Sequence, residues 1–95
     1  MATFILLSTL TDDGAKTITA NPERIKEVNS EVERLGVRVH AQYAVLGPYD
    51  FVTIVEADSI QSVARVSAAL SSRGSIKIQT LAALPIDEFI SGIKS

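Results

Sequence analysis

The chain has no cysteine, no tryptophan, one histidine, two tyrosines and three phenylalanines. Each shortage excludes something. Without cysteine there is no disulfide and no thiolate metal site. A single histidine rules out a cage of several imidazoles within one chain. Few aromatics leave little material for stacking bases, and a net charge of −2 is far from the basic footprint of a nucleic-acid binder. No apolar run approaches the roughly 20 residues of a membrane span. The opening "MATFILLSTL" has no Lys or Arg ahead of its apolar stretch and no small-residue cleavage site, so it reads as a strand rather than a leader. A soluble, cytoplasmic protein is expected.

What is present is a 95-residue chain that is 46% apolar. That length suits one domain, residues 1–95, with a modest core. No covalent staple supplements it, so a homodimer or larger homo-oligomer is the expected support.

Apolar periodicity lays out the elements. "TFILLSTL", residues 3–10, is β-branched and apolar on both sides, as a central strand should be. "TDDGAKTITA" reads as a polar loop with an Asp13-Gly14 turn signal. In "NPERIKEVNSEVERLG", Asn21 caps and Pro22 opens a helix near 21–35. Its apolar stripe is Ile25, Val28, Val32 and Leu35, and Gly36 ends it. "VRVHAQYAVL" alternates, with Val37, Val39, Ala41, Tyr43 and Val45 on one face and Arg38, His40 and Gln42 on the other. After the Gly47-Pro48 turn, "DFVTIVEA" completes a hairpin. A second helix near 59–72 begins at Asp58 or Ser59, turns Ile60, Val63, Ala64, Ser67 and Leu70 inward, and stops at Gly74. "SIKIQTLAAL" is the last strand, and "PIDEFISGIKS" is a short amphipathic helix or tail.

The order is two strand-helix-strand halves, the ferredoxin-like βαββαβ pattern of the α+β class. Right-handed crossovers give an antiparallel sheet in the order 4-1-3-2 with helices on one face. The other face then carries Arg38, His40 and Gln42 from strand two and Lys77 and Gln79 from strand four. Strands one and three contribute apolar residues there in either register. An apolar centre with a polar rim is the composition of an interface or a pocket, so two sheets are expected to pack face to face.

The stretch "LGPYDFVTIVEA" resembles the signature of the GYD-domain family at Gly47, Tyr49 and Asp50. "LTDDGAKTI" resembles a family segment at Thr11, Gly14 and Lys16, and "NPERI" resembles its helix start at Pro22, Glu23 and Arg24. "RGSIKIQTLAAL" is similar to the family's last strand, departing from it at Ile78 and Gln79, where the family tends to have Thr and Glu. The resemblance spans nearly the whole chain. It implies a dimeric α+β barrel in which two such sheets enclose a central space, and it implies no cofactor and no particular activity.

The candidate ligand-binding residues are Tyr49, Asp50, His40, Gln42, Lys77, Gln79 and Lys16. Tyr49 and Asp50 suit either a hairpin corner, with the carboxylate accepting backbone N–H groups, or a donor and an ion-pair partner at a pocket mouth. His40 suits a general base or a haem ligand, or a solvated strand position. Lys16, with Thr11, Gly14 and Arg24, suits an anion held ahead of the helix, or a solvated loop in which Asp12 and Asp13 cancel the cation. Neither a nucleophile triad nor a phosphate loop nor metal-ligand spacing is present. Three functions follow: a small oligomer that binds a small molecule between sheets, a cofactor-independent oxygenase or isomerase in the same cavity with His40 as base, or a purely structural interaction module.

Overall fold

The computed structural model describes residues Met1–Ser95. Four strands, β1 (Ala2–Leu10), β2 (Val37–Ala44), β3 (Phe51–Ala57) and β4 (Ile76–Ala83), form one sheet in the order β2-β3-β1-β4. Every neighbouring pair is antiparallel. This is the expected order read from the other edge. Four helices accompany the sheet: α1 (Asp12–Ala20), α2 (Arg24–Arg34), α3 (Ile60–Ser71) and α4 (Ile86–Lys94).

Burial decides the register that periodicity leaves open. Phe4, Leu6 and Ser8 on β1 and Thr53, Val55 and Ala57 on β3 are buried under the helices. They meet Val32 of α2 and Val63, Val66 and Leu70 of α3 in one core. Their alternating neighbours Ile5, Leu7, Val52 and Ile54 lie on the opposite, open face and are half-buried. On α3 the inner stripe is shifted from the expected one: Val66 is fully buried, while Ile60 is exposed. The Ser59 side chain caps this helix, accepting from the Ser62 N–H at 3.2 Å.

The segment expected to be a loop is instead helix α1. Thr11 is its N-cap, with extended φ/ψ of −77° and 173°, and its Oγ1 accepts from the Gly14 N–H at 3.2 Å. Asp12 and Asp13 then favour the positive end of the helix. The same Thr11 ties the helix to the α3–β4 turn: its hydroxyl donates to the Gly74 carbonyl at 2.7 Å and its N–H to the Ser75 carbonyl at 3.0 Å. Gly14 makes no turn. It is buried, and a Cβ there would overlap the Ser75 carbonyl oxygen. Asn21 closes α1 rather than capping α2, giving its N–H to the Thr17 carbonyl. The Asn21-Pro22-Glu23 turn that follows places the start of α2 at Arg24.

A β-bulge corrects the reading of β2. The register runs Val39 opposite Val55, then Ala41 opposite Ile54, so His40 is an extra residue. An inserted residue reverses the phase of every side chain beyond it. Val37 and Val39 therefore point under the helices, but Ala41 and Tyr43 do not. Gln42 stands opposite Thr53, on the helix-covered face.

Candidate functional site

The open face of the sheet is an apolar centre inside a polar frame. Ile5 and Leu7 of β1 lie between Val52 and Ile54 of β3 and Gln79 and Leu81 of β4 in the ladder. At the β2 edge Arg38 stands opposite Glu56 in the ladder, and the His40 Nδ1 lies 3.3 Å from the Glu56 Oε1, an ion pair when the imidazole is protonated. At the β4 edge Lys77 and Gln79 are exposed. The Tyr49 hydroxyl donates to the Gln79 Oε1 at 2.8 Å, so a residue of the β2–β3 hairpin reaches the far side of β1. Tyr49, Gln79, Lys77 and His40 thus frame one surface.

The other candidates lie elsewhere. Asp50 sits at the hairpin corner. Its carboxylate accepts the Leu10 N–H at 2.7 Å, its own N–H donates to the Ser8 carbonyl at 2.8 Å, and its carbonyl accepts the Val45 N–H at 2.9 Å. Lys16 is exposed on α1, not in a loop ahead of a helix. The α1 N-terminus faces Asp12 and Asp13 instead. Gln42 does not join Arg38 and His40, because the bulge carries it to the helix side. There it accepts from the Asn29 amide at 2.6 Å and donates to the Thr53 hydroxyl at 3.2 Å.

Two features had little or no signal in the sequence. The first is a cavity of about 110 Å3 under α1 and α2, with Arg24, Asn29, Gln42 and Arg73 among apolar walls. The residues that line it are far apart in the chain and share no motif. The second is the isolation of α4. Its apolar positions Ile86, Phe89, Ile90 and Ile93 follow helical spacing, and every one is exposed. The stripe was visible in the sequence; its lack of a partner in the chain was not.

Near the cavity mouth, Arg73 holds Glu31 by two side-chain hydrogen bonds of 2.5 and 2.6 Å. This fork geometry holds the Glu31 carboxyl below the usual carboxylate range, chiefly through the hydrogen bond, and raises Arg73 in turn.

A helix-backed antiparallel sheet with one uncovered, polar-framed face defines a small α+β domain. Comparison with known proteins gives the family. The GYD domain matches residues 4–93, and the chain belongs to the GYD domain family. It is 63% identical over 95 residues to the "Glutamine synthetase and cystathionine beta-lyase binding protein" of Thermus thermophilus, covering 99% of this chain and 100% of that protein. The crystal structure of TTHA0845, also from Thermus thermophilus, is similar in fold, with a TM-score of 0.59 and 22% identity over 90% of this chain and 95% of that one.

Proposed function

We propose that this chain is a protein-interaction module that binds metabolic enzymes of the kind named for its Thermus relative, and that it does so as a homodimer. The observation that carries the reading is the 63% identity, end to end, with a protein named for binding glutamine synthetase and cystathionine β-lyase. The surface of the chain is consistent with it. Two apolar areas have no cover within the chain, the open face of the sheet and the outer stripe of α4.

In this proposal the sheet face meets a second copy. A flat apolar face with a polar frame can be self-complementary about a two-fold axis. The space between two such sheets would be walled by Ile5, Leu7, Val52, Ile54 and Leu81, with Tyr49, Gln79, Lys77 and His40 at its margin. The α4 helix is then left for the partner enzyme. An amphipathic helix laid into a groove is read through anchors at i, i+3, i+4 and i+7, the spacing of Ile86, Phe89, Ile90 and Ile93. An enzymatic role for His40 has less behind it. The imidazole is 61% exposed and faces Glu56 with no nucleophile beside it.

The test is sedimentation of the purified chain alone, then with purified glutamine synthetase and with cystathionine β-lyase. Co-sedimentation with either enzyme, lost in Phe89→Asp, is expected. A chain that co-sediments with neither at micromolar concentration overturns the reading.

A further inference from the structure

The cavity on the helix side of the sheet lies on the opposite face from the proposed dimer contact. It does not depend on that contact or on any enzyme partner. Its outer part holds about 110 Å3. A second space of about 50 Å3 adjoins it, and the two share Val28, Asn29, Gln42, Phe51, Leu70 and Ile76 as walls. Together they are comparable with an apolar cavity of about 150 Å3, which is enough to hold benzene.

Three observations set its chemistry. First, the bulge at His40 turns Gln42 into this space, and the amide is fixed there between Asn29 and Thr53. Most ligand sites have this composition, an apolar lining with a few oriented polar groups. Second, both charged residues on the lining are cations, Arg24 and Arg73. Their partners Glu27 and Glu31 pair with them from outside the lining. Each guanidinium has five N–H donors, and these pairs use only one of Arg24 and two of Arg73. Donors therefore remain for an anion. Third, the α1 side of the cavity is walled by Gly14, Thr17 and Ile18, two of them small. Gly14 is also where α1 packs directly against the Ser75 backbone, which fixes this wall of the cavity.

We propose that this cavity binds a short-chain monocarboxylate, its compact apolar body between Val28, Phe51, Leu70 and Ile76 and its carboxylate against Arg24 and Arg73. Gln42 and Asn29 share the wall with that apolar body.

The experiment titrates the full chain with 3-methylbutanoate, its neutral amide 3-methylbutanamide, and acetate, following melting temperature and backbone amide NMR signals. A ligand that binds only the folded state raises the melting temperature in a saturable way. The carboxylate should do so and shift the signals of Gly14, Thr17 and the Gln42 side chain. The amide, which lacks the charge, and acetate, which lacks the body, should bind at least about tenfold more weakly. Arg24→Gln should weaken 3-methylbutanoate about tenfold and leave the amide unchanged. Val28→Phe, which fills the cavity, should abolish binding. Absence of a saturable response to 3-methylbutanoate in the wild type overturns the proposal, and so does acetate binding as well as 3-methylbutanoate. Undiminished binding in Val28→Phe overturns it too. If Val28→Phe does not fold, Arg24→Gln and the two control ligands still decide.

Discussion

The Asp50 carboxylate accepts the backbone N–H of Leu10 at 2.7 Å, joining the start of β3 to the end of β1 across forty residues of chain. With the Asp50 N–H on Ser8 and its carbonyl on Val45, this one residue closes three strand ends. Asp50→Ala leaves the Leu10 N–H without a partner in a half-buried position. The expected loss is about 1–3 kcal/mol in urea unfolding. Asp50→Asn keeps an acceptor oxygen and should lose less. Equal stability of Asp50→Ala and the wild type would mean the corner does not matter to the fold.

Leu6 and Leu7 are adjacent in sequence and lie on opposite faces. Leu6 is 4% exposed in the core, whereas Leu7 lies on the open face between Val52 and Gln79. Leu6→Lys buries an unpaired charge and should unfold the chain, since such a group costs several kcal/mol against a total of about 5–15. Leu7→Lys should keep native circular dichroism and sediment as a monomer. A Leu7→Lys variant that sediments like the wild type would remove the sheet-to-sheet dimer.

Glycine substitutions should separate two kinds of requirement. Gly36 and Gly74 have φ of 92° and 77°, with open space where a Cβ would go. Alanine at either should cost about 1 kcal/mol, from backbone conformation alone. Gly14→Ala carries no φ penalty but presses a methyl group into the Ser75 carbonyl. It should be the more damaging change, and thermal denaturation of the three variants gives the ranking.

Glu31 and Arg73 predict a sign for acid sensitivity. The folded Glu31 carboxyl titrates below its usual range because Arg73 is hydrogen-bonded to it. A group lowered in this way stabilises the fold above its unfolded pKa, about 4.3 for glutamate. That contribution is lost as pH falls through the folded value. The urea midpoint of Glu31→Gln should therefore fall less steeply than the wild type between about pH 5 and pH 3. A parallel pair of curves would show that the pair adds nothing to folding.

Much of the fold was legible from periodicity and caps, and the misreadings have local causes. Strand one is apolar on both sides, so its orientation was set only by which neighbours the helices cover. In "TLTDDGAKTITA" the Asp-Gly pair outweighed the cap Thr11, whose strength comes from contacts with Gly74 and Ser75 that no local pattern displays. Gln42 was placed by strict alternation, which is valid only while the ladder has no extra residue. The pairing of Tyr49 with Gln79 was not legible either, because their shared surface is assembled by sheet order and not by spacing. The polar frame of the open face could be read, since Lys77 and Gln79 alternate with Ile76 and Ile78.

Thr11 uses its hydroxyl twice, as acceptor for the first turn of α1 and as donor to the turn that ends α3. One rotatable O–H therefore joins two segments more than sixty residues apart in the chain. Opening of the first turn of α1 is thereby coupled to opening of the α3–β4 turn, which would expose the Gly14 side of the cavity. In slow hydrogen exchange, the amides of Thr11 and Gly14 would report that single opening at a common rate, and a Thr11→Val chain would let the two drift apart.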